Sequence, residues 1–283
     1  AAVVTTVAVA SVVIPSDQGV QGAGHDLAAQ VSIPLIDAPL DPLTAVAAPA
    51  AAAWLPTDAA GAPMRPSRPV RILLLGDSTA VALSAGLVGW AADHPDLAQV
   101  DVLAGLGCGF VREGHMAGDD DGGFQRHCDA VLDEQLPQEL ATRTPDLVVV
   151  LVSLPDAIDR TWPGESQPRP ASDPRYQQRL LEDYRAMADL LLAVPDLRVA
   201  WMTATRPAKW FAALESQHWV PEKWDGQDAA IADVIDGSDG RIVRVDLNAW
   251  IAGVEADGDR SWRADGLHLS PESSRRVMDE YLG

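Results

Sequence analysis

Short apolar runs alternate with amphipathic stretches along the last three quarters of this 283-residue chain. The apolar runs predict five strands, at residues 70–75, 99–103, 146–152, 197–202 and 242–246. Apolar residues at helical spacing predict five helices, at residues 78–92, 127–141, 176–192, 229–235 and 271–282. Pro137 must kink or split the second of these helices. Strands that are apolar throughout have no solvent-facing side, so the pattern predicts a parallel sheet covered by helices on both faces.

The first 14 residues follow a different pattern, because they are almost all apolar and carry no charge. A membrane-spanning helix needs about 20 such residues, and a signal-peptide core needs about 7–15 behind a basic segment. The run is shorter than a membrane-spanning helix, and it lacks the basic segment that precedes a signal-peptide core. We interpret it as the end of a membrane segment that begins upstream; a residual targeting sequence or an apolar strand are the alternatives.

Residues 15–69 are predicted to form a linker. They hold nine of the 21 prolines and an alanine-rich tract (AVAAPAAAA) at residues 45–53. Proline at this density breaks the hydrogen bonding of helices and sheets alike. The pattern therefore places one folded domain at residues 70–283, after the linker.

Composition and charge narrow the function classes. The chain has 21 Lys and Arg against 41 Asp and Glu, a net charge of −20. Phosphate and anionic lipid are bound mainly by basic side chains, so partners of those two kinds, nucleic acid included, are not expected. Two cysteines are too few for a Cys-based zinc site or a disulfide-rich miniprotein.

Ser78 is the first candidate for chemistry. The first predicted strand runs into Gly76-Asp77-Ser78, and a helix follows at once. A serine there lies where open α/β sheets bind ligands, and its N–H at a helix start favours a developing anion. Such a position suits a nucleophile. The alternative is a simple helix cap, because Ser and Asp are preferred capping residues.

A base and a carboxylate occur just before the last predicted helix, at His268 and Asp265. A nucleophilic serine needs a base, and the base needs a carboxylate that sets its tautomer and stabilises the imidazolium. Because Asp265 and His268 are three positions apart on a loop, their side chains can point the same way. An exposed turn with a solvated histidine is the alternative for this motif by itself.

Together, Gly76-Asp77-Ser78 and Asp265-Gly266-Leu267-His268 resemble the first and last blocks of the SGNH (GDSL-type) hydrolases. The resemblance covers residues 70–283 and implies a three-layer α/β/α, flavodoxin-like domain. It implies ester hydrolysis or acyl transfer through an acyl-serine, with Ser78, His268 and Asp265 as catalytic residues and no metal or organic cofactor.

The resemblance also implies an oxyanion hole, made by the N–H of Ser78 and of a glycine after the second strand. Gly107 is the best match for this glycine and Gly105 the second. The third family block, Gly-x-Asn-Asp, is altered here to Ser153-Leu154-Pro155-Asp156. Proline cannot donate the hydrogen bond that the family asparagine supplies. Ser153 and Arg160 are candidate substitutes.

Cys108 and Cys128 could form a disulfide in an oxidising compartment or stay as two buried free thiols in a cytosolic protein. Their placement is similar to that in the SGNH domains fused to membrane-bound acyltransferases, and this likeness implies the disulfide. It also implies that a membrane acyltransferase domain, in the same or an adjacent chain, supplies the acyl group. The domain would then lie outside the cytoplasm, tethered to the membrane, and acylate hydroxyls of a cell-surface glycan. A free secreted esterase or lipase and an inactive glycan-binding domain are the alternatives.

Other motifs carry weaker hypotheses. Asp119-Asp120-Asp121 resembles a calcium loop only superficially, and we interpret it as a solvated loop. Asp159 and Arg160 could form an ion pair or hold substrate. Three tryptophans after the fourth strand either line a sugar or acyl pocket or pack beneath a loop: Trp210, Trp219 and Trp224.

Overall fold

The computed structural model describes residues 67–119, 122–211 and 221–282. The predicted membrane or targeting segment at residues 1–14 and nearly all of the predicted linker lie outside these ranges. Across the described ranges, none of the helices has the length and apolar character that crossing a bilayer requires.

A five-stranded parallel sheet forms the centre of the domain. In spatial order its strands are β2 (Ala98–Ala104), β1 (Val70–Gly76), β4 (Leu147–Leu151), β6 (Arg198–Met202) and β7 (Ile242–Val245). Each strand pairs in parallel with its neighbours. This 2-1-3-4-5 arrangement of the sheet strands is the flavodoxin-like order. The predicted sheet is confirmed.

Helices follow the strands along the chain. They are α1 (Ser78–Asp93), α2 (Gly123–Ala130), α3 (Leu136–Arg143), α4 (Pro174–Leu192), α5 (Pro221–Asp236), α6 (Leu247–Val254) and α7 (Pro271–Val277). Single π-helical turns, Val131–Gln135 and Met278–Leu282, follow α2 and α7. A 3₁₀ turn, Leu154–Asp156, follows β4.

The two faces of the sheet are covered by different helices. Successive residues of β1 point to opposite faces, so Leu73 and Leu75 pack with α3, α4 and α5. Ile72 and Leu74 pack with α1, α6 and α7 on the other face. The predicted three-layer α/β/α architecture is therefore present.

The helix predicted at residues 127–141 is split, as predicted, because Pro137 lies in the first turn of α3 and the chain widens into a π turn just before it. Two other helices differ from the prediction. α5 begins at Pro221 rather than at residue 229. A helix not predicted, α6, follows β7, capped by the Asp246 side chain on the Ala249 N–H.

Two further strands were not predicted because they are only two residues long. β3 (His115–Met116) and β5 (Arg160–Thr161) pair antiparallel outside the main sheet. Runs of this length carry no periodicity that a sequence can show.

The contact of α1 with α7 brings the two ends of the domain together. A Cβ built on Gly86 of α1 would lie 2.1 Å from the carbonyl oxygen of Ser274 in α7. The Ser274 hydroxyl accepts the Gly86 N–H at 2.6 Å and donates to the Leu83 carbonyl at 2.8 Å. The α7 backbone therefore contacts α1 directly at Gly86, and the Ser274 hydroxyl is held within this contact.

We expect opposite effects from alanine at the two interior glycines of α1. Gly86→Ala should lower the free energy of unfolding by about 2–3 kcal/mol, because the new methyl group overlaps the α7 backbone. Gly89→Ala should raise it by up to about 1 kcal/mol, since alanine favours helix and the nearest atom is the end of Arg275 at 3.4 Å. Urea unfolding measures both; equal effects would contradict the close contact.

Candidate active site

Ser78 lies at the carboxyl edge of the sheet, directly after β1 and at the first position of α1. β1 lies between β2 and β4, where the strand order changes direction. In open α/β sheets, ligands bind at this switch point. As the first residue of the helix, Ser78 has no carbonyl one turn earlier to take its N–H.

The turn that carries Ser78 is held by the buried side chain of Asp77. One carboxylate oxygen accepts the Thr79 N–H at 2.8 Å and the Thr79 hydroxyl at 2.5 Å. The other accepts the Ser153 N–H at 2.9 Å and the Ser153 hydroxyl at 3.2 Å. Complete burial raises the pKa of Asp77, while these hydrogen bonds oppose the rise. Asp77 thus caps α1 and joins it to the segment after β4.

A chain of hydrogen bonds connects Ser78, His268 and Asp265. The Nε2 atom of His268 lies 2.8 Å from the Ser78 hydroxyl oxygen. Its Nδ1 atom lies 2.6 Å from Oδ2 of Asp265. The other Asp265 oxygen accepts the N–H of Leu267 and of His268, each at 2.8 Å. The structure thus brings together the three side chains that the sequence singled out.

The charge of Asp265 suits a histidine partner. Partial burial acts to raise its pKa, but the hydrogen bonds from the His268 ring and from the two N–H groups outweigh it and lower the pKa to about 2. Asp265 is therefore ionised at neutral pH and accepts a proton-bearing Nδ1, which leaves Nε2 free to accept from Ser78.

Gly107 and Gly105 differ in what their N–H groups do. The Gly105 N–H donates to the Gly76 carbonyl at 3.0 Å and extends the β1–β2 pairing. The Gly107 N–H has no hydrogen-bond partner within the described part of the chain. Gly107 also has a φ of +71°, which glycine adopts without strain. Of the two candidates, Gly107 keeps its donor available.

The suggested substitutes for the family asparagine are engaged elsewhere. The Ser153 hydroxyl donates to Asp77. The Arg160 side chain is buried and donates to the Gln125 side chain and, at 3.2 Å, to the Glu113 carbonyl. Both side chains serve the interior, and Pro155 is buried as well.

Cys108 and Cys128 form a disulfide. Both residues are buried, and the bond joins the loop that follows β2 to α2. Cys108 directly follows Gly107, so the bond fixes one end of the candidate oxyanion loop.

An apolar rim beside Gly107 was missed by sequence reasoning. The ring of Phe124 lies 3.3 Å from where a Cβ on Gly107 would be. Leu106 and Phe124 are the large apolar side chains that stay exposed in the described ranges, at 51% and 41%. Only a leucine between two glycines and an aromatic residue after Gly123 hinted at them.

The acidic residues that carried weaker hypotheses bond to other parts of the protein. Asp119 accepts the N–H groups of Phe124 and Gln125 at the start of α2, each at 3.2 Å. Asp159 pairs with Lys223 at 2.5 Å, so the ion pair that was one of the two alternatives for Asp159 forms with Lys223 and not with Arg160.

The two described residues of the predicted tryptophan group also make contacts within the protein. Trp224 is buried in a small apolar cluster with Leu154 and Leu267. Trp210 is half-buried, and its indole N–H donates to the Arg263 carbonyl at 2.9 Å. Asp120, Asp121 and Trp219 lie outside the described residues.

A known family matches the whole of the described domain. The family model described as "SGNH domain (fused to AT3 domains)" matches residues 47–283. The chain belongs to this family. No curated protein matches the chain.

Several solved structures are similar to this chain at low sequence identity. A candidate acylhydrolase of Bacteroides fragilis NCTC 9343 is 17% identical, with a TM-score of 0.51 over 82% of this chain and 89% of that one. The lipase/acylhydrolase of Enterococcus faecalis is 17% identical, with a TM-score of 0.47 over 74% and 91%. The periplasmic domain of a Salmonella ser. Paratyphi A lipopolysaccharide acetyltransferase is 12% identical, with a TM-score of 0.48 over 77% and 86%.

Asp265→Asn should make the free energy of unfolding of the domain depend less on pH in the acidic range. The folded pKa of about 2 lies below the usual value near 4, so the stabilisation is complete above pH 4 and is lost as pH falls toward 2. Asp265 is half-exposed, and solvent screening reduces its contribution to about 1 kcal/mol. Urea unfolding should show the parent's advantage over the variant at pH 7 shrinking to about half at pH 3.

The same comparison in a His268→Ala background provides the control. The side-chain hydrogen bond from His268 is the leading contribution that lowers the Asp265 pKa, so the pH-dependent difference should shrink there. An unchanged difference would mean that Asp265 is held by its own backbone alone.

Proposed function

We propose that this SGNH domain transfers a short acyl group, most simply acetyl, through an ester formed on Ser78. The proposal rests on one observation, the hydrogen-bond chain from the Ser78 hydroxyl through His268 to the ionised Asp265. A hydroxyl that donates to an imidazole held by a carboxylate is the arrangement that serine nucleophiles use.

In the first half of the reaction, the Ser78 oxygen attacks the acyl carbonyl carbon while its proton passes to Nε2 of His268. The negative charge that develops on the carbonyl oxygen is stabilised by the N–H groups of Ser78 and Gly107. The tetrahedral intermediate expels the donor's alkoxide or thiolate, which takes the proton from His268. Asp265 stabilises the imidazolium in between.

In the second half, an acceptor hydroxyl or water gives its proton to His268 and attacks the acyl-serine. The intermediate releases the new ester, or the free acid, and Ser78 regains its proton from His268. Two N–H donors serve the oxyanion where the family pattern has a third from asparagine. One such donor is typically worth about 10²–10³ in turnover, so we expect a slow esterase toward simple esters.

The acceptor we propose is a hydroxyl of a cell-surface glycan. The matching family model describes domains fused to AT3 domains, which supports a membrane acyltransferase domain as the source of the acyl group. The disulfide favours an oxidising compartment outside the cytoplasm. The strongly acidic composition suits an uncharged or cationic acceptor better than an anionic one.

Ser78→Ala should abolish covalent labelling by a fluorophosphonate and reduce p-nitrophenyl acetate hydrolysis by about 10³-fold or more. Ser84→Ala is the matched control, because Ser84 is on the same helix and its hydroxyl only bonds the Val81 carbonyl at 2.7 Å. It should keep parental labelling and turnover. Labelling that survives in Ser78→Ala would refute the nucleophile.

Mass spectrometry of oligosaccharides incubated with the parent and an acetyl ester tests the transfer step. Ester-linked acetyl on the sugar, absent with Ser78→Ala, is the expected result. Free acetate as the only product would indicate an esterase. Sugar binding by a parent that neither hydrolyses esters nor labels would indicate an inactive binding domain.

A further inference from the structure

Asp156 is a fully buried carboxylate in the 3₁₀ turn after β4, outside the Ser78–His268–Asp265 chain. Its Oδ2 accepts the Phe110 N–H at 2.9 Å, and its Oδ1 accepts the Val111 N–H at 3.0 Å. The Tyr184 hydroxyl donates to Oδ2 at 3.1 Å. Burying a charge is costly unless the charge is fully hydrogen-bonded. A buried carboxylate at this position therefore indicates that its role is to fix the positions of these three donors.

The two backbone donors belong to the loop that carries Gly107. Phe110 and Val111 follow Gly107 by three and four positions. A Cβ built on Gly109, between them and Gly107, would lie 2.0 Å from Oδ1 of Asp156. A side chain at this position would therefore displace the loop from the carboxylate.

The segment Ser153–Asp156 holds both walls of the candidate oxyanion hole. At its start, Ser153 bonds Asp77, which caps the helix that begins with the Ser78 N–H. At its end, Asp156 bonds the loop that presents the Gly107 N–H. One short piece of chain thus connects the two donor-bearing segments.

A second set of side chains supports Asp156. Tyr184 is buried and accepts a hydrogen bond from Gln227 at 2.8 Å. Burial and the Asp156 charge raise the pKa of Tyr184 well above its ordinary value, so its hydroxyl stays protonated and can donate. The ring packs on Phe110 and Trp201, with centroids 5.6 and 5.3 Å away.

We propose that Asp156 is a positioning residue, which sets the Gly107 N–H relative to the Ser78 N–H for the developing oxyanion. This inference rests on the proposed serine mechanism. Asp156 touches neither Ser78 nor His268 in the described hydrogen bonds and acts through the backbone of the loop. Through Asp156, the altered third block still contributes to the oxyanion hole, although Pro155 supplies no donor.

The test compares Asp156→Asn with the parent in p-nitrophenyl acetate hydrolysis at pH 8. Burial raises the pKa of Asp156 to about 6, so the parent is ionised there. Asparagine has one acceptor oxygen and would turn its NH₂ toward one of the two N–H groups. We expect kcat to fall by about 10–100-fold with KM unchanged, since a shift of about 1 Å in catalytic geometry costs this much.

Two readouts separate positioning from general damage. The inhibition constant of a boronic acid, whose oxygen occupies the oxyanion site, should rise by the same factor as kcat/KM falls. The downfield proton resonance of the His268 Nδ1–H should stay at its parental position, because the hydrogen bond to Asp265 is untouched. A resonance that moves or disappears would indicate general disruption and overturn the proposal.

Tyr184→Phe removes one donor to Asp156 and keeps the ring, so kcat should fall by about three- to tenfold. It also decides the question if Asp156→Asn does not fold. Asp183→Asn is the matched control: this buried carboxylate accepts the Arg112 N–H at 2.8 Å and Arg179 at 2.9 Å on one oxygen, which asparagine retains. Its kcat should stay within about twofold of the parent.

The outcomes are distinguishable. A parent without hydrolysis or Ser78 labelling overturns the proposed function, and this inference with it. An active parent whose Asp156→Asn and Tyr184→Phe variants keep parental kcat overturns the inference alone. A fall in kcat with no rise in the boronic acid constant also overturns it.

Discussion

The rest of the site depends on the direct backbone contact between α1 and α7. Ser78 begins α1 and His268 lies three residues before the start of α7, and the two residues are 190 positions apart in the chain. Gly86 lets α1 contact the α7 backbone directly, and the segments at the two helix starts meet where His268 bonds Ser78. A base 2.8 Å from a hydroxyl follows from that packing and from no local propensity.

Buried carboxylates organise the backbone around this contact. Asp77 and Asp156 are both fully buried, and each accepts a backbone N–H from a segment that follows a different strand from its own. Loops at a sheet edge have no ladder to satisfy their donors, so a charged acceptor in the interior can fix their positions. The disulfide at Cys108 adds a covalent restraint to the same loop.

Pro155 marks where this domain departs from its family's third block. The structure shows the neighbouring polar residues, Ser153 and Asp156, both directed inward to backbone and side-chain partners. The segment therefore retains a structural role where its direct donor is missing. An acyltransferase that receives a reactive donor from a partner domain needs less oxyanion stabilisation than a hydrolase of stable esters, which fits the proposed function.

The sequence by itself indicated the elements of the sheet and the candidate residues for chemistry. Apolar runs and helical spacing predicted all five sheet strands. Ser78 was a candidate because it follows a strand at a helix start, and Asp265 and His268 were candidates because they lie on the loop before the last helix. Only the tertiary structure showed that the Gly105 N–H donates to the Gly76 carbonyl, whereas the Gly107 N–H has no partner among the described residues. It alone showed that Ser153 and Arg160 are engaged and that Phe124 borders Gly107. These facts are contacts between segments distant in the chain, and side-chain period and residue type carry no information about them.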